Sequence, residues 1–308
     1  MSKMPIEDDF KEKCLAKWDD DGELDERLSF FAEKFDEWKK QIPDQYIEVL
    51  LTLLKELKYY THKDANRILV SLHEQLLSNS NMTIDNTVFA YIKSKDGISN
   101  SSNDYWTEYK LLNNLNRNIC YENLNAIKGS GWKYIENIVF IDDFSGSGES
   151  IKKELEKFLN IFHGKNVYII VVYTMEAAVK KLKEFGETNS INIHFIYNYA
   201  FKKAFEQDYF PDNSTAKENY LSFCDSKGIS SKSGWELGFE NTESLVSFYN
   251  NTPNNTLAFI HNRSNKYFPL FPRINDEKPI WQRNDCKKMN NRTKQRKNAN
   301  YNNTCTDG

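Results

Sequence analysis

The stretch NIVFIDDFSGSGES, Asn137–Ser150, sets four apolar residues, Ile138–Ile141, directly before two adjacent carboxylates and then a run built almost wholly of serine and glycine. The apolar run reads as a strand, and Ile151, Leu155, Phe158, Leu159 and Phe162 recur at helical spacing just after the glycines. In an open parallel sheet, ligands bind beyond the carboxyl ends of the strands, and that is where this strand delivers Asp142 and Asp143. The backbone N–H groups of Ser145, Gly146, Ser147, Gly148, Glu149 and Ser150 then converge with the positive end of a helix dipole on one small volume, which suits a phosphate. Gly146 and Gly148 permit a tight, positive-φ turn and leave no Cβ to block close approach, and the hydroxyls of Ser147 and Ser150 add hydrogen bonds. Two carboxylates do not bind a phosphate themselves. They require proton donors or positive charge, and a ribose diol with a hydrated Mg²⁺ meets both needs. The stretch as a whole asks for a sugar phosphate.

Outward from this stretch, short apolar runs alternate with helical ones. TVFAYI precedes it, and VYIIVVYTM and INIHFIYNYA follow. Ala178, Val179, Leu182 and Phe185 form a helical face that ends at Gly186, and Trp106, Tyr109, Leu112, Leu115 and Ile119 mark another helix between the first two runs. This alternation predicts an α/β domain over residues 86–275, with a parallel sheet flanked by helices. Thr215 to Glu218 spells a capping box for a helix closed by Gly228, and TLAFIH reads as one more strand. Upstream, Leu24, Leu28, Phe31, Phe35 and Trp38 line one helix ending before Pro43. Leucine-rich faces from Asp44 and from Ile68 follow, so residues 1–85 are expected to be an all-helical N-terminal extension. Such helices could receive a protein partner or simply pack on the main domain.

Composition narrows the class. A chain of 308 residues with 39% hydrophobic content can bury a sizeable core. No apolar stretch approaches the roughly 18–20 residues of a membrane span, and MSKMPIEDDF lacks the order of a secretion signal, so the expectation is a cytoplasmic protein without membrane contact. Five scattered cysteines suggest neither a disulfide framework nor a zinc site, and the histidines show no metal-ligand spacing. The net charge of −3 hides a basic, asparagine-rich tail over 276–308 that reads as disordered. A nucleic-acid arm and a merely solvated terminus both fit that tail, and composition favours the second.

Four apolar residues, two acids, a short spacer and Ser147-Gly148-Glu149-Ser150 together resemble the diphosphoribosyl-binding motif of type I phosphoribosyltransferases, whose usual ending is Thr-Gly-x-Thr. Both serines keep the hydroxyl of that ending. The resemblance implies Asp142 and Asp143 as catalytic residues on the ribose hydroxyls of phosphoribosyl pyrophosphate (PRPP), with Ser145 to Ser150 around its 5-phosphate. It also implies Mg²⁺ held mainly by ligand and water, with Asp142 and Asp143 as possible contacts. A second loop, Ser94, Lys95, Asp96 and Gly97, is placed by the same resemblance at the pyrophosphate, although a lysine in a polar loop is usually just solvated. Further along, NTPNN at 251–255 and PLFPR at 269–273 resemble a divergent bacterial group of phosphoribosyltransferase-like proteins associated with conflict, or anti-phage, systems. Asn251, Asn254 and Asn255 are thereby candidates to line the site, while sequence chemistry alone favours an Asn-Pro turn leading into a strand. Trp235 and Phe239 could stack a base or close a core.

Rival motifs fit less well. GSGES lacks the lysine of a P-loop, FSGSG the first glycine of a nucleophile elbow, and GSGESI the third glycine of a dinucleotide fingerprint. The expected function is therefore transfer or cleavage of a ribosyl-phosphate group on PRPP or a nucleotide. The alternative is a non-catalytic PRPP or nucleotide sensor acting through a protein or nucleic-acid partner.

Overall fold

The computed structural model describes residues 9–19, 22, 24–78, 81–93, 101–229 and 234–273. The loop Ser94–Gly97 and the tail 276–308 lie outside the described residues. Helices α1 (Phe10–Trp18), α2 (Glu26–Lys40) and α3 (Asp44–Glu56) are followed by strand β1 (Lys58–Tyr60) and helix α4 (His62–Ser78). Asp25 caps α2 by accepting from the N–H groups of Arg27 and Leu28, and Pro43, which cannot continue a helix, is the N-cap of α3. Strand β1 thus interrupts the segment 1–85 expected to be all-helical; its three residues are too few for strand alternation to show.

The main sheet comprises β2 (Thr87–Tyr91), β3 (Asn137–Ser145), β4 (Asn166–Met175) and β5 (Asn192–Ile196), in that spatial order and all parallel. Helix α5 (Ser101–Leu112) lies between β2 and β3; α6 (Glu149–Glu156) and α7 (Leu159–Phe162) lie between β3 and β4; α8 (Glu176–Asn189) lies between β4 and β5. A two-residue strand β6 (Ala200–Phe201) extends the carboxyl end of β4, helix α9 (Asn213–Lys227) follows, and β7 (Val246–Phe248) pairs with β1 before the short helix α10 (Ala258–His261). Among the described residues, no helix is long and apolar enough to cross a membrane.

Burial on both faces explains the continuous apolar runs. On β3, Val139 and Ile141 pack with α4 and α5, while Ile138 and Phe140 pack with α6, α7 and α8. The connection after α5 rounds the edge beyond β2, where the Tyr121 N–H donates to the Phe89 carbonyl at 2.8 Å, and then contributes Leu124 and Ile135 to the second face. Strand register is marked by an asparagine ladder. Asn137, Asn166 and Asn192 stand side by side, and Nδ2 of each later residue donates to Oδ1 of the one before, at 3.1 and 2.6 Å.

The remaining core is shared by the two ends of the described chain. Leu28, Phe31 and Phe35 of α2 and the leucines of α3 pack with Tyr220 and Phe223 of α9, with Phe259 of α10, and with Phe271. Arg27 ties the same parts together, donating to the Phe248 carbonyl (2.8 Å), Thr252 Oγ1 (2.8 Å) and the Pro272 carbonyl (3.0 Å).

Three local expectations change. TLAFIH contains the helical turn α10, not a strand; all four residues of that turn are buried, so the apolar run that suggested a strand reflects burial instead. Helix α9 begins two residues before Thr215 and is capped by Asp212, whose carboxylate accepts from the N–H groups of Ser214 and Thr215. Helix α8 continues through Gly186 to Asn189, and Gly186 serves close packing: a Cβ there would stand 2.9 Å from the Ile191 carbonyl oxygen.

Candidate functional site

β3 runs on through both acids to Ser145, pairing Asp142 with Val171 and Ser145 with Thr174 of β4. The chain turns through Gly146 and Ser147 into Gly148, the N-cap of α6, at φ 76°. Glycine is needed there twice over, because a side chain would occupy the left-handed region and its Cβ would press within 3.1 Å of Leu182 Cδ1. This turn forms one wall of a cleft of about 220 Å³. Ser145 through Ile151 line it together with Asp142 and Phe144, and Phe239, Asn254 and Asn255 line it from the carboxyl-terminal part of the chain. Ser145 lines the cleft and is only 3% exposed, and its buried hydroxyl has no hydrogen-bond partner within the protein. An unpaired buried hydroxyl costs free energy unless a ligand or water meets it.

The far wall owes its position to glycines. Gly238, at φ 79°, packs so tightly on Asn255 that a Cβ would be driven into the Asn255 carbonyl. The Phe239 N–H donates to the Asn254 carbonyl at 2.9 Å, and Asn255 Nδ2 donates to Thr242 Oγ1 at 2.8 Å and to the Phe239 carbonyl at 3.3 Å. Glu240, Asn241 and Glu243 also adopt positive φ, so the loop behind Phe239 is held in a sparsely populated conformation, which is a recurrent property of functional loops.

The two acids are placed differently. Asp142 is 4% and Asp143 6% exposed, and of the two only Asp142 lines the cleft. Asp142 Oδ1 accepts from the Ser102 hydroxyl at 2.6 Å and from the Asp143 N–H at 3.0 Å. Burial, reinforced by the neighbouring Asp143 charge, pushes Asp142 well above the ordinary carboxylate range. Burial also raises Asp143, against hydrogen bonds from Asp142, Ser101 and backbone N–H groups that favour its charged form. The Glu149 carboxylate, on the first residue of α6, meets Lys153 at 3.1 Å and Lys181 at 3.2 Å, which hold it below its ordinary value.

The structure therefore brings together Asp142, the whole run Ser145–Ser150, Asn254 and Asn255. Asp143 and Asn251 lie outside the lining, and the Asn251 side chain instead accepts from the Thr252 N–H. Phe239 lines the cleft, whereas Trp235 meets it edge to face behind, at 5.1 Å between centroids. Ser102 escaped the sequence reading, since a serine in SNSSNDYW carries no signal of its target. Among the described residues no lysine or arginine lines the cleft, and no three His, Cys, Asp or Glu side chains cluster to hold a metal. A Mg²⁺ here would rest chiefly on ligand phosphates and water, with Asp142 the acid nearest at hand, a donor set that fits this ion's habits.

Compared with known proteins, residues 35–273 match the model of a family described as PRTase-CE. No curated protein and no solved structure matches the chain.

Proposed function

Since this chain belongs to the PRTase-CE family and has its phosphoribosyltransferase-like α/β fold, we propose that the cleft binds the ribose 5-phosphate part of PRPP or of a nucleotide. On this reading the protein transfers or cleaves the ribosyl-phosphate group. The observation that carries it is that the α6 N-terminus, the serine-glycine run Ser145–Ser150 and Asp142 line one cleft. Backbone N–H groups of 146–150 and the hydroxyls of Ser147 and Ser150 take the phosphate oxygens, and the helix dipole favours the charge. Asp142 accepts a ribose hydroxyl. A Mg²⁺ ion held by ligand phosphates, water and Asp142 would supply neutralising charge for a leaving pyrophosphate. Cleavage at the anomeric carbon passes through an oxocarbenium-like centre that depends on position and charge, so no side-chain nucleophile is required.

The test is to incubate the purified protein with PRPP or mixed nucleotides, Mg²⁺ and bases, and to assay pyrophosphate and free base. Release that disappears in Asp142→Asn supports the reading; no release and no binding of either ligand ends it.

A second reading is a PRPP or nucleotide sensor without turnover; the described lining of the cleft carries no cation, and the loop Ser94–Gly97 expected at the pyrophosphate lies outside the described residues. Calorimetric binding without product, lost in Asp142→Asn, would select it. The likeness of the 251–255 and 269–273 motifs to conflict-system proteins supports an effector role in bacterial anti-phage defence. Cells expressing the protein should then resist phage lysis, and Asp142→Asn should abolish the resistance.

A further inference from the structure

The geometry points to Ser102 as a positioning residue for the ligand of this cleft: it acts through Asp142, whose carboxylate it holds in one orientation. The assignment rests on the ribose-phosphate reading above, because it is Asp142 that meets the ligand.

Ser102 is 3% exposed, in the first turn of α5, and its hydroxyl donates to Asp142 Oδ1 at 2.6 Å, a short O–H···O hydrogen bond. The same oxygen accepts the Asp143 N–H at 3.0 Å, so two donors from two different elements fix one carboxylate oxygen. The terminal torsion of an aspartate is otherwise broad. Pinning Oδ1 sets the plane of the carboxylate, and with it the direction in which the second oxygen is offered. Ser102 is itself held rigidly. Tyr105, Trp106 and Tyr109 of α5 are all buried against the sheet, among them contacts with Val139 and Ile141 on the strand that carries Asp142. A donor on a packed helix and an acceptor on a central strand cannot drift apart without moving that core, which is the condition for a preorganised site. A preset acceptor lowers the ordering cost of binding a hydroxyl.

The assignment separates two ligands. Ribose 5-phosphate needs both the serine-glycine turn and the oriented acid; inorganic phosphate needs only the turn. In calorimetric titrations of the full chain with Mg²⁺ present, Ser102→Ala should bind ribose 5-phosphate about tenfold more weakly and inorganic phosphate as before, since the loss is that of one buried hydrogen bond. Ser102→Thr, which keeps the hydroxyl, should restore affinity. If the alanine chain does not fold, Ser102→Cys preserves the volume, weakens the donor and carries the same comparison. Unchanged or tighter ribose 5-phosphate binding in Ser102→Ala overturns the assignment, the second by showing that the hydroxyl competes with the ligand. Equal losses for both ligands overturn it too, because they mark a purely structural role. A wild-type chain that binds inorganic phosphate but no ribose 5-phosphate instead removes the ribose reading on which the assignment stands.

Discussion

Gly146 lies so close to Asn255 that a Cβ on it would stand 2.5 Å from Asn255 Nδ2 and 2.7 Å from Cγ. The turn that opens α6 and the wall contributed by the distant 254–255 segment are thus in direct contact, and the absence of one side chain makes this possible.

Gly146→Ala should therefore displace the Asn255 amide from Thr242 Oγ1 and the Phe239 carbonyl. We expect a loss of about 1–3 kcal/mol in stability, the usual cost of overpacking, together with weaker PRPP binding. Urea unfolding and calorimetry on one preparation check both. A variant indistinguishable from wild type in each would show that the contact is slack.

Gly238 and Gly164 both have positive φ, yet only Gly238 is crowded. Gly164→Ala should cost about 1 kcal/mol for the left-handed backbone alone, and Gly238→Ala well over 2 kcal/mol, since the Asn255 backbone cannot step aside as a side chain can. The difference in urea midpoints between the two variants measures that clash; equal midpoints would refute it.

The acid pair gives stability a pH dependence of definite sign. Both pKa values are raised in the folded state, so between the ordinary carboxylate range and the folded values the native chain holds protons that the unfolded chain has released. Stability contributed by the pair is present at low pH and falls as pH rises through that window. Asp142→Asn should lessen the fall, seen as a smaller drop in unfolding free energy between pH 5 and pH 7.5. His261 works the other way: burial lowers its pKa to about 4, so its contribution is full above the ordinary histidine range and is lost as pH falls toward that value. Comparing Asp142→Asn with wild type at each pH leaves the histidine common to both and isolates the pair.

Arg27 joins α2 to three acceptors at Phe248, Thr252 and Pro272. Arg27→Ala should cost about 2–4 kcal/mol, from charge-assisted hydrogen bonds lost and acceptors left dry. A loss below about 0.5 kcal/mol in denaturant melts would mean that the N-terminal helices are not integral to the shared core.

Much of this architecture could be read along the chain because its signals are local. Ile138–Ile141 announced a doubly buried strand, and the glycines at 146 and 148 a positive-φ turn into α6, which the backbone makes at Gly148 and not at Gly146; each signal depends on residues a few positions apart. Strand β1 and the helical turn α10 were not legible. Three residues show no period, and four apolar residues in a row satisfy helix and strand equally.

By itself, the sequence determined the parallel sheet, its flanking helices and the serine-glycine turn, since periodicity and glycine content act over a few bonds. Packing across the core settles that Asp142 meets the cleft while Asp143 does not, that of the candidates Asn251, Asn254 and Asn255 the last two join Phe239 on the opposite wall, and that Ser102 grips Asp142. Those relations join residues far apart in the chain, and they arise from packing across a shared core, which no local pattern encodes.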